Sequence, residues 1–235
     1  MPLEFEKIVT VIPARGGSKS LPMKNIMMLN DKPLIQYSID YSLASELVWK
    51  TVVSTDSEEI AEVSRKLGAE VPFIRPDDLA EDLTPDYPVF YHALRKLEEL
   101  YETRIDILVL LRPTSPLRPD RLIEQSIDLL KKYPDATSVR SVTKIKQHPY
   151  RSWIVEDTYI YGYEKSVNEP YNLPRQLLPP VFYQTGDIET MRRETILSGS
   201  ISGEKVVPLI IQPEDMVDID NIEDMRLAED KLLNG

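Results

Sequence analysis

Short continuous apolar runs alternate along most of this chain with segments whose apolar residues recur every three to four positions. Ile8–Ile12, Thr51–Ser54, Ile105–Leu110 and Thr137–Val142 are runs of the first kind and read as buried strands. Between them, the stretch from Pro33 to about Leu47 sets Leu34, Ile35, Ile39 and Leu43 on one face of a helix, with proline at its first position. Ser57–Leu67 reads as a helix with Ser57 as N-cap and Gly68 at its stop. Tyr87–Tyr101 and Pro119–Tyr133 are two further helices, and Asp120 strengthens the start of the second. Alternation of this kind predicts an α/β domain with a parallel sheet, helices on both faces, and binding sites at the carboxyl ends of the strands.

The alternation breaks between about residues 143 and 204. That segment holds six of the twelve tyrosines, Trp153, and the alternating stretch Tyr159-Ile160-Tyr161-Gly162-Tyr163. It reads as an irregular β excursion rather than another strand–helix unit. Aromatic side chains at this density need cover, from the body or from another chain. Val206–Ile211 then returns to strand character, and Ile222–Leu233 closes the chain as an amphipathic helix. The whole, residues 1–235, is expected to be one domain carrying the excursion as an insertion.

Candidate chemistry concentrates in the loop that follows the first strand, Ala14-Arg15-Gly16-Gly17-Ser18-Lys19-Ser20-Leu21-Pro22-Met23-Lys24-Asn25. It carries three cations and no acid, in a chain whose net charge is -11. Adjacent glycines let the backbone turn tightly and bring its N–H groups near an anion, and spread negative charge is best held by fixed donors and cations together. A basic surface loop without a ligand is the plainer alternative. Two familiar phosphate loops are absent: Ser18 separates Gly17 from Lys19, which breaks the P-loop pattern, and there is no G-x-G-x-x-G.

Asp218 and Asp220 form a second candidate, two carboxylates on one side of an extended segment just before the last helix. Hard oxygen ligands so arranged suit Mg2+, which takes one or two carboxylates plus phosphate oxygens and water. The spacing of Asp220 and Glu223 equally fits a helix cap. The two histidines, His92 and His148, have no metal-ligand company and receive no catalytic role.

The loop sequence resembles the signature of the CMP-sialic acid synthetase (acylneuraminate cytidylyltransferase) family, approximately I-P-A-R-x-G-S-K-x-x-P-x-K-N, with every fixed position filled by Ile12–Asn25. The likeness continues through Val53–Asp56, Arg75-Pro76, Arg112–Arg118, Pro174-Arg175-Gln176 and Asp218-Ile219-Asp220, and so spans nearly the whole chain in order. It implies a three-layer αβα Rossmann-like nucleotidyltransferase fold whose sheet is mainly parallel, with the excursion used for dimerisation and for the sugar site. It implies attack by the anomeric hydroxyl of a sugar acid on the α-phosphorus of CTP, with loss of pyrophosphate. Arg15 and Lys24 would hold and polarise the phosphates, with Gly16, Gly17, Ser18 and Lys19 in the same loop and Asn25 facing the base. Arg75 and Arg112 would contact the nucleotide, Arg175 with Gln176 would face the sugar, Arg151 would lie near a second sugar-site cation, and Asp218 and Asp220 would bind Mg2+. Taken alone, Arg75 reads as a solvated residue in a proline-flanked turn, and Arg151 and Arg175 as partners for surface acids.

Three departures bear on specificity. Arg112 stands where many members carry glutamine; an arginine donates to a pyrimidine O2 but cannot accept from the exocyclic amine of cytosine, so weaker base discrimination is expected. The family's N-G-x-I-Y near the sugar is Thr185-Gly186-Asp187-Ile188-Glu189 here, which brings Asp187 and Glu189 to the substrate side. A serine-rich segment becomes Leu83-Thr84-Pro85-Asp86-Tyr87. The extra acids leave the acceptor open between a sialic acid, another nonulosonic acid and a sugar phosphate.

Composition narrows the remainder. Hydrophobic content of 42% with 29% charged residues is ordinary for a soluble globular protein. The acidic balance argues against nucleic acid as a partner, and no apolar run approaches a membrane span. The absence of cysteine and of an apolar signal core near Met1 leads to the expectation of a cytoplasmic protein. A nucleotidyltransferase using another NTP, or a non-catalytic nucleotide-binding protein, are the rival classes; the second would be expected to lose Lys24, Asp218 or Asp220, and all three are present.

Overall fold

Neighbouring side chains of the first apolar run enter two different cores, which is why the run is continuous rather than alternating. The computed structural model describes residues 7–18, 21–212 and 217–234, so Lys19 lies outside the described residues. In chain order the elements are β1 (Ile8–Pro13), β2 (Met28–Leu29), β3 (Lys32–Pro33), α1 (Leu34–Leu43), β4 (Lys50–Ser54), α2 (Glu58–Lys66), α3 (Asp86–Tyr101), β5 (Ile107–Leu110), α4 (Leu122–Lys132) and β6 (Ser138–Lys144). Then come β7 (Trp153–Glu156), β8 (Tyr159–Gly162), β9 (Phe182–Arg192), α5 (Arg193–Leu197), β10 (Val206–Ile210) and α6 (Ile222–Asn234).

Six strands form the central sheet in the order β10-β6-β9-β5-β1-β4, parallel except for β9, which runs antiparallel to both β5 and β6. Ile8 and Ile12 of β1 pack on one face with Ile35 and Ile39 of α1, Ile60 of α2 and Ile123 and Ile127 of α4. Val9 and Val11 pack on the other with Phe90, Leu94 and Leu97 of α3 and Ile196 of α5. A smaller core joins α6, through Met225 and Ala228, to Leu29 and Leu34. The layers are those expected: helices, sheet, helices.

Local signals hold where a side chain can act alone. Ser57 caps α2, its Oγ accepting from the Ile60 N–H at 3.4 Å, and Gly68 follows with φ +93°. The expected helix from Pro119 begins three residues later. Arg121 takes a left-handed φ of 63°, and the Tyr41 hydroxyl bridges the Pro119 carbonyl and the Leu122 N–H, both at 2.7 Å. A tertiary partner, Tyr41, thus meets the first N–H group of the helix whose start Asp120 was expected to strengthen.

One correction concerns the excursion. Its expected span of 143–204 overruns, because β9 lies inside the main sheet and α5 packs against the body. What leaves the sheet lies between β6 and β9, and includes the β7–β8 hairpin. β9 escaped sequence reading because it is neither apolar nor alternating. Between Arg140 and Val142 of β6 the register jumps from Glu189 to Gln184, so Thr185–Ile188 bulge out opposite Ser141. The Ser141 hydroxyl holds this bulge, donating to the Ile188 carbonyl (3.0 Å) and accepting from the Ile188 N–H (3.1 Å) and the Thr185 hydroxyl (2.8 Å). Bulges of this kind re-aim side chains beside active sites.

Glu98 ties three elements together. It accepts from Arg193 Nε at 2.6 Å, Arg193 Nη2 at 3.1 Å and the Ile105 N–H at 3.2 Å. Desolvation pushes its carboxyl up, but these donors outweigh it and hold the group below the ordinary glutamate range. A depressed folded pKa gives stability that is present above the unfolded value and is lost as pH falls through the folded one. Glu98→Gln is therefore expected to cost about 1–3 kcal/mol at neutral pH. Urea denaturation at neutral pH and near pH 3.5, below the ordinary value of about 4.3, measures the difference. A deficit of equal size at both pH values would show that the charge is not its source.

Candidate active site

β1, β4 and β5 deliver their carboxyl ends to one edge of the sheet, and the direction of chain winding reverses across β1. Crevices form at such switch points. Here one opens as a cleft of about 270 Å³ lined by Arg15, Ser18, Lys24 and Asn25 from the glycine loop, Arg75 and the segment 79–86, and Arg112–Thr114. Of the expected nucleotide residues, Arg15, Ser18, Lys24, Asn25, Arg75 and Arg112 meet there.

The glycine loop is shaped from within. The Gly16 N–H donates to Asp56 Oδ1 at 3.0 Å, so this donor faces the body rather than the cleft. A Cβ at Gly16 would lie 3.1 Å from Ser57 Cβ, closer than a side chain sits without displacing its neighbour; a Cβ at Gly17 would meet nothing within 4 Å. Asn25 braces the loop by donating from Nδ2 to the Arg15 carbonyl at 2.9 Å.

Four cations approach the cleft with different partners. Arg15 donates from Nη1 to the Glu81 carbonyl at 2.7 Å and pairs through Nη2 with Asp82 at 3.0 Å, so the segment after Arg75 straps across it. Lys24 is buried, and its Nζ donates to the Ile219 carbonyl at 2.7 Å and faces Asp220 Oδ1 at 3.4 Å. Arg75 is only 4% exposed, yet its Nε and Nη2 have no hydrogen-bond partner, and Asp56 stands 3.7 Å away. Burial pulls its guanidinium pKa down and Arg15 adds to that, against the pull of Asp56. Arg112 has its Nη2 between Asp86 Oδ2 (2.6 Å) and Glu189 Oε1 (3.0 Å). Burial opposes its charge, but Asp86 and then Glu189 more than compensate and raise its pKa.

Glu189 is 3% exposed and accepts from Arg112 and Arg140, so it sits inside an ion chain behind the cleft wall rather than on it. Asp187 is buried as well. Burial raises its carboxyl pKa, Thr185 and Arg118 oppose this and Asp218 adds to it, while its Oδ2 has no hydrogen-bond partner. Arg118 staples the bulge to the loop after β5, donating to the Asp187 carbonyl (2.8 Å) and to the Arg112 carbonyl (2.5 Å). Gly186, with φ +78°, lets the bulge pass close to Arg112: a Cβ there would lie 3.4 Å from Arg112 Cδ.

Asp218 and Asp220 flank Ile219, whose N–H donates to the Thr114 carbonyl at 2.8 Å and whose carbonyl receives Lys24. Asp218 is exposed, with protein packed around it; this desolvation raises its carboxyl pKa, Asp220 adds to it, and Thr114, Lys24 and Arg112 oppose it. The capping alternative is answered by another residue. Asn221 Oδ1 accepts from the Glu223 and Asp224 N–H groups, and Asp224 Oδ2 accepts from those of Asp220 and Asn221. Asp220 is not the cap. Among the described residues no group of three or more His, Cys, Asp or Glu converges on a point, so these two carboxylates form at most an open, two-ligand site.

The sugar-side residues lie elsewhere in the chain. Arg175 and Gln176 line a second cleft of about 300 Å³ with Lys144, Lys146 and His148, and Arg151 donates to the Leu173 carbonyl at 3.1 Å. The two clefts have no lining residue in common. Sequence reading missed the positioning acids Asp56, Asp82 and Asp86; the only signal was that Asp56 belongs to a matched motif and Asp86 to a departing one.

Comparison with known proteins agrees with this geometry. The cytidylyltransferase family model matches residues 9–202. The CMP-N,N'-diacetyllegionaminic acid synthase of Legionella pneumophila is 33% identical over 235 residues, 95% of each chain. The pseudaminic acid cytidylyltransferase of Campylobacter jejuni is 29% identical over 227 residues, again 95% of each. Among solved structures, a CMP:2-keto-3-deoxy-manno-octonic acid synthetase complexed with CTP superposes with a TM-score of 0.73 over 97% of this chain and 99% of that one, at 18% identity. With the loop signature, the cation-lined cleft and a family model spanning most of its length, this chain belongs to the cytidylyltransferase family, that of the CMP-sialic acid synthetases.

Proposed function

We propose that the protein transfers a cytidylyl group from CTP to the anomeric hydroxyl of a nonulosonic acid, giving the CMP-sugar and pyrophosphate. The observation that carries this reading is Arg75: a buried guanidinium with two nitrogens lacking a hydrogen bond and only a long ion pair to Asp56 at 3.7 Å, lining the same cleft as Arg15 and Lys24. Buried donors left without a hydrogen bond are costly, and a triphosphate brings several oxygens that can accept from them. The acceptor class is drawn from the relatives, which are named for legionaminic and pseudaminic acids. In the reaction the acceptor hydroxyl gives up its proton to solvent as its oxygen bonds the α-phosphorus, the bond to the β-phosphate oxygen breaks, and that bond's electron pair leaves with pyrophosphate. Arg15 and Lys24 neutralise the charge gathering on that leaving group, and positioning does the rest. The sequence also allowed another NTP or a sugar-phosphate acceptor. Pyrophosphate release across four NTPs and a panel of sugar acids and sugar phosphates separates these readings. In the same assay Arg15→Ala and Lys24→Ala are expected to lower turnover by at least about tenfold with the fold retained. Near-native rates in both would remove the loop from the mechanism.

Asp218 and Asp220 fit Mg2+: two hard carboxylates, the charge of Asp218 disfavoured by desolvation and further by Asp220, and neither used as the helix cap. When bound there, the ion would supply charge neutralisation at phosphate oxygens. The carboxylates would hold it, and Lys24 would keep their segment on the loop through the Ile219 carbonyl. We expect calorimetric Mg2+ binding in the presence of a non-hydrolysable CTP analogue to be lost in Asp218→Asn and Asp220→Asn, together with activity. Full activity in excess chelator would leave the pair without a metal role.

A homodimer completes the reading. The β7–β8 hairpin exposes Trp153, Val155, Tyr159, Ile160 and Tyr161, and Tyr163, Phe182 and Tyr183 lie exposed beyond it. An isolated two-stranded hairpin is marginal in water, and this much aromatic surface calls for a partner. Pairing through it would bring Arg175 or Arg151 of one chain to a nucleotide cleft, which neither lines within its own chain. Sedimentation at micromolar concentration is expected to show a dimer, and a single species near 27.0 kDa would overturn it. If sites are shared, mixing Arg15→Ala with Arg175→Ala chains restores part of the activity. Of localisation only this is established: among the described residues no helix is long and apolar enough to cross a membrane.

A further inference from the structure

Asp86 has no part in the mechanism above, yet it holds a defined place in the cleft. It is the first residue of α3, and its carboxylate meets Arg112 as a fork: Oδ2 accepts from Nη2 at 2.6 Å, and Oδ1 faces Nη1 at 3.5 Å. The guanidinium is anchored from behind by Glu189 Oε1 at 3.0 Å, and Glu189 is in turn held by Arg140. Asp86 and Arg112 line the cleft together with Leu79, Val89 and Thr84. Leu79 and Val89 give this cleft apolar side chains against which a flat heterocycle can lie, in the same cleft as the glycine-loop cations that suit phosphate. Of the other acids of the wall, Asp82 is engaged by its carboxylate on Arg15, while Glu81 meets the same residue through its backbone carbonyl.

The chain Arg140, Glu189, Arg112, Asp86 carries two positive and two negative groups. Its contribution to the cleft is therefore directional hydrogen bonding rather than net charge. A guanidinium donor and a carboxylate acceptor held side by side offer what the two ends of a carboxamide offer. Arginine alone accepts nothing; Asp86 restores the acceptor. We propose that Asp86, positioned by Arg112, reads the amino edge of the pyrimidine and distinguishes cytosine from uracil. With the carboxylate opposite the 4-position, the amine of cytosine donates to it, whereas the carbonyl of uracil sets two acceptors against each other. A buried polar group left unpaired is a strong means of rejection. The weak base discrimination expected from Arg112 alone is thereby replaced by firm discrimination.

The inference rests on the cytidylyl reading, and calorimetry separates the two. CTP, UTP and the 4-deamino analogue of CTP are titrated into the unaltered protein, Asp86→Asn and Glu189→Gln, each checked for folding by thermal denaturation. CTP is expected to bind the unaltered protein at least about tenfold more tightly than either of the others. Asp86→Asn should collapse that ratio towards one, because an asparagine turns either end of its amide to the edge. Glu189→Gln loosens Arg112 from behind but leaves the Asp86 carboxylate, and the ratio should persist. An unchanged ratio in a folded Asp86→Asn overturns the proposal. So does an equal collapse in Glu189→Gln. The analogue binding the unaltered protein as tightly as CTP overturns it without recourse to any variant. Failure of the unaltered protein to bind CTP at all overturns the underlying reading, and the inference with it.

Discussion

Glu189 is a carboxylate set into the interior of the sheet, and the carboxyl edge of the molecule is organised around the need to keep it paired. A buried charge without partners costs several kcal/mol, so its neighbours are constrained. Arg140 on β6 and Arg112 after β5 both turn their guanidinium groups to it, which fixes β9 between these two strands. Arg112 then carries Asp86, and Asp86 begins α3. One side of the cleft is thus a line of alternating charges running from the sheet interior to the helix start. The bulge at Thr185–Ile188 belongs to the same construction, since it carries β9 past Arg112 with only a glycine at the close approach.

The glycine-loop and Arg75 cations of the cleft are held by weaker and more replaceable contacts. Arg15 is engaged by a carbonyl and by the partly exposed Asp82, contacts that an incoming phosphate can match oxygen for oxygen. Arg75, facing Asp56 only at 3.7 Å, has two nitrogens without a hydrogen bond. Lys24 links the loop to the segment of the two aspartates through the Ile219 carbonyl, so residues far apart in the chain become one surface. A rigid wall that reads shape and a yielding wall that receives charge make a reasonable division of labour for binding a nucleotide.

The aromatic arm follows a different logic. It neither completes the main cores nor lines the first cleft, and its strands β7 and β8 pair only with each other. A basic cleft with Arg175, Lys144 and Lys146 lies at its base. The arm therefore makes most physical sense as half of something, in keeping with the dimer proposed above.

How much of this could be read from the sequence depends on whether a residue acts through its neighbours in the chain or through distant ones. The strands β1, β4, β5 and β6, the helix capped by Ser57 and the glycine loop were legible because apolar period, cap chemistry and motif spacing are local properties. The cations Arg15, Lys24, Arg75 and Arg112 were named from their motifs and do converge. β9 was not legible, because its polar residues satisfy partners about fifty to eighty positions away in Arg140 and Arg112, and no local pattern records that. For the same reason Asp220 looked like a cap until Asn221 and Asp224 took that role, and Glu189 looked like a ligand to substrate until two arginines enclosed it. The sequence by itself determined which chemistry is present and roughly where the sheet ends. Only the tertiary structure decided which charges face each other and which are left for a ligand, because pairing is set by distance in space and the low dielectric of the interior enforces it.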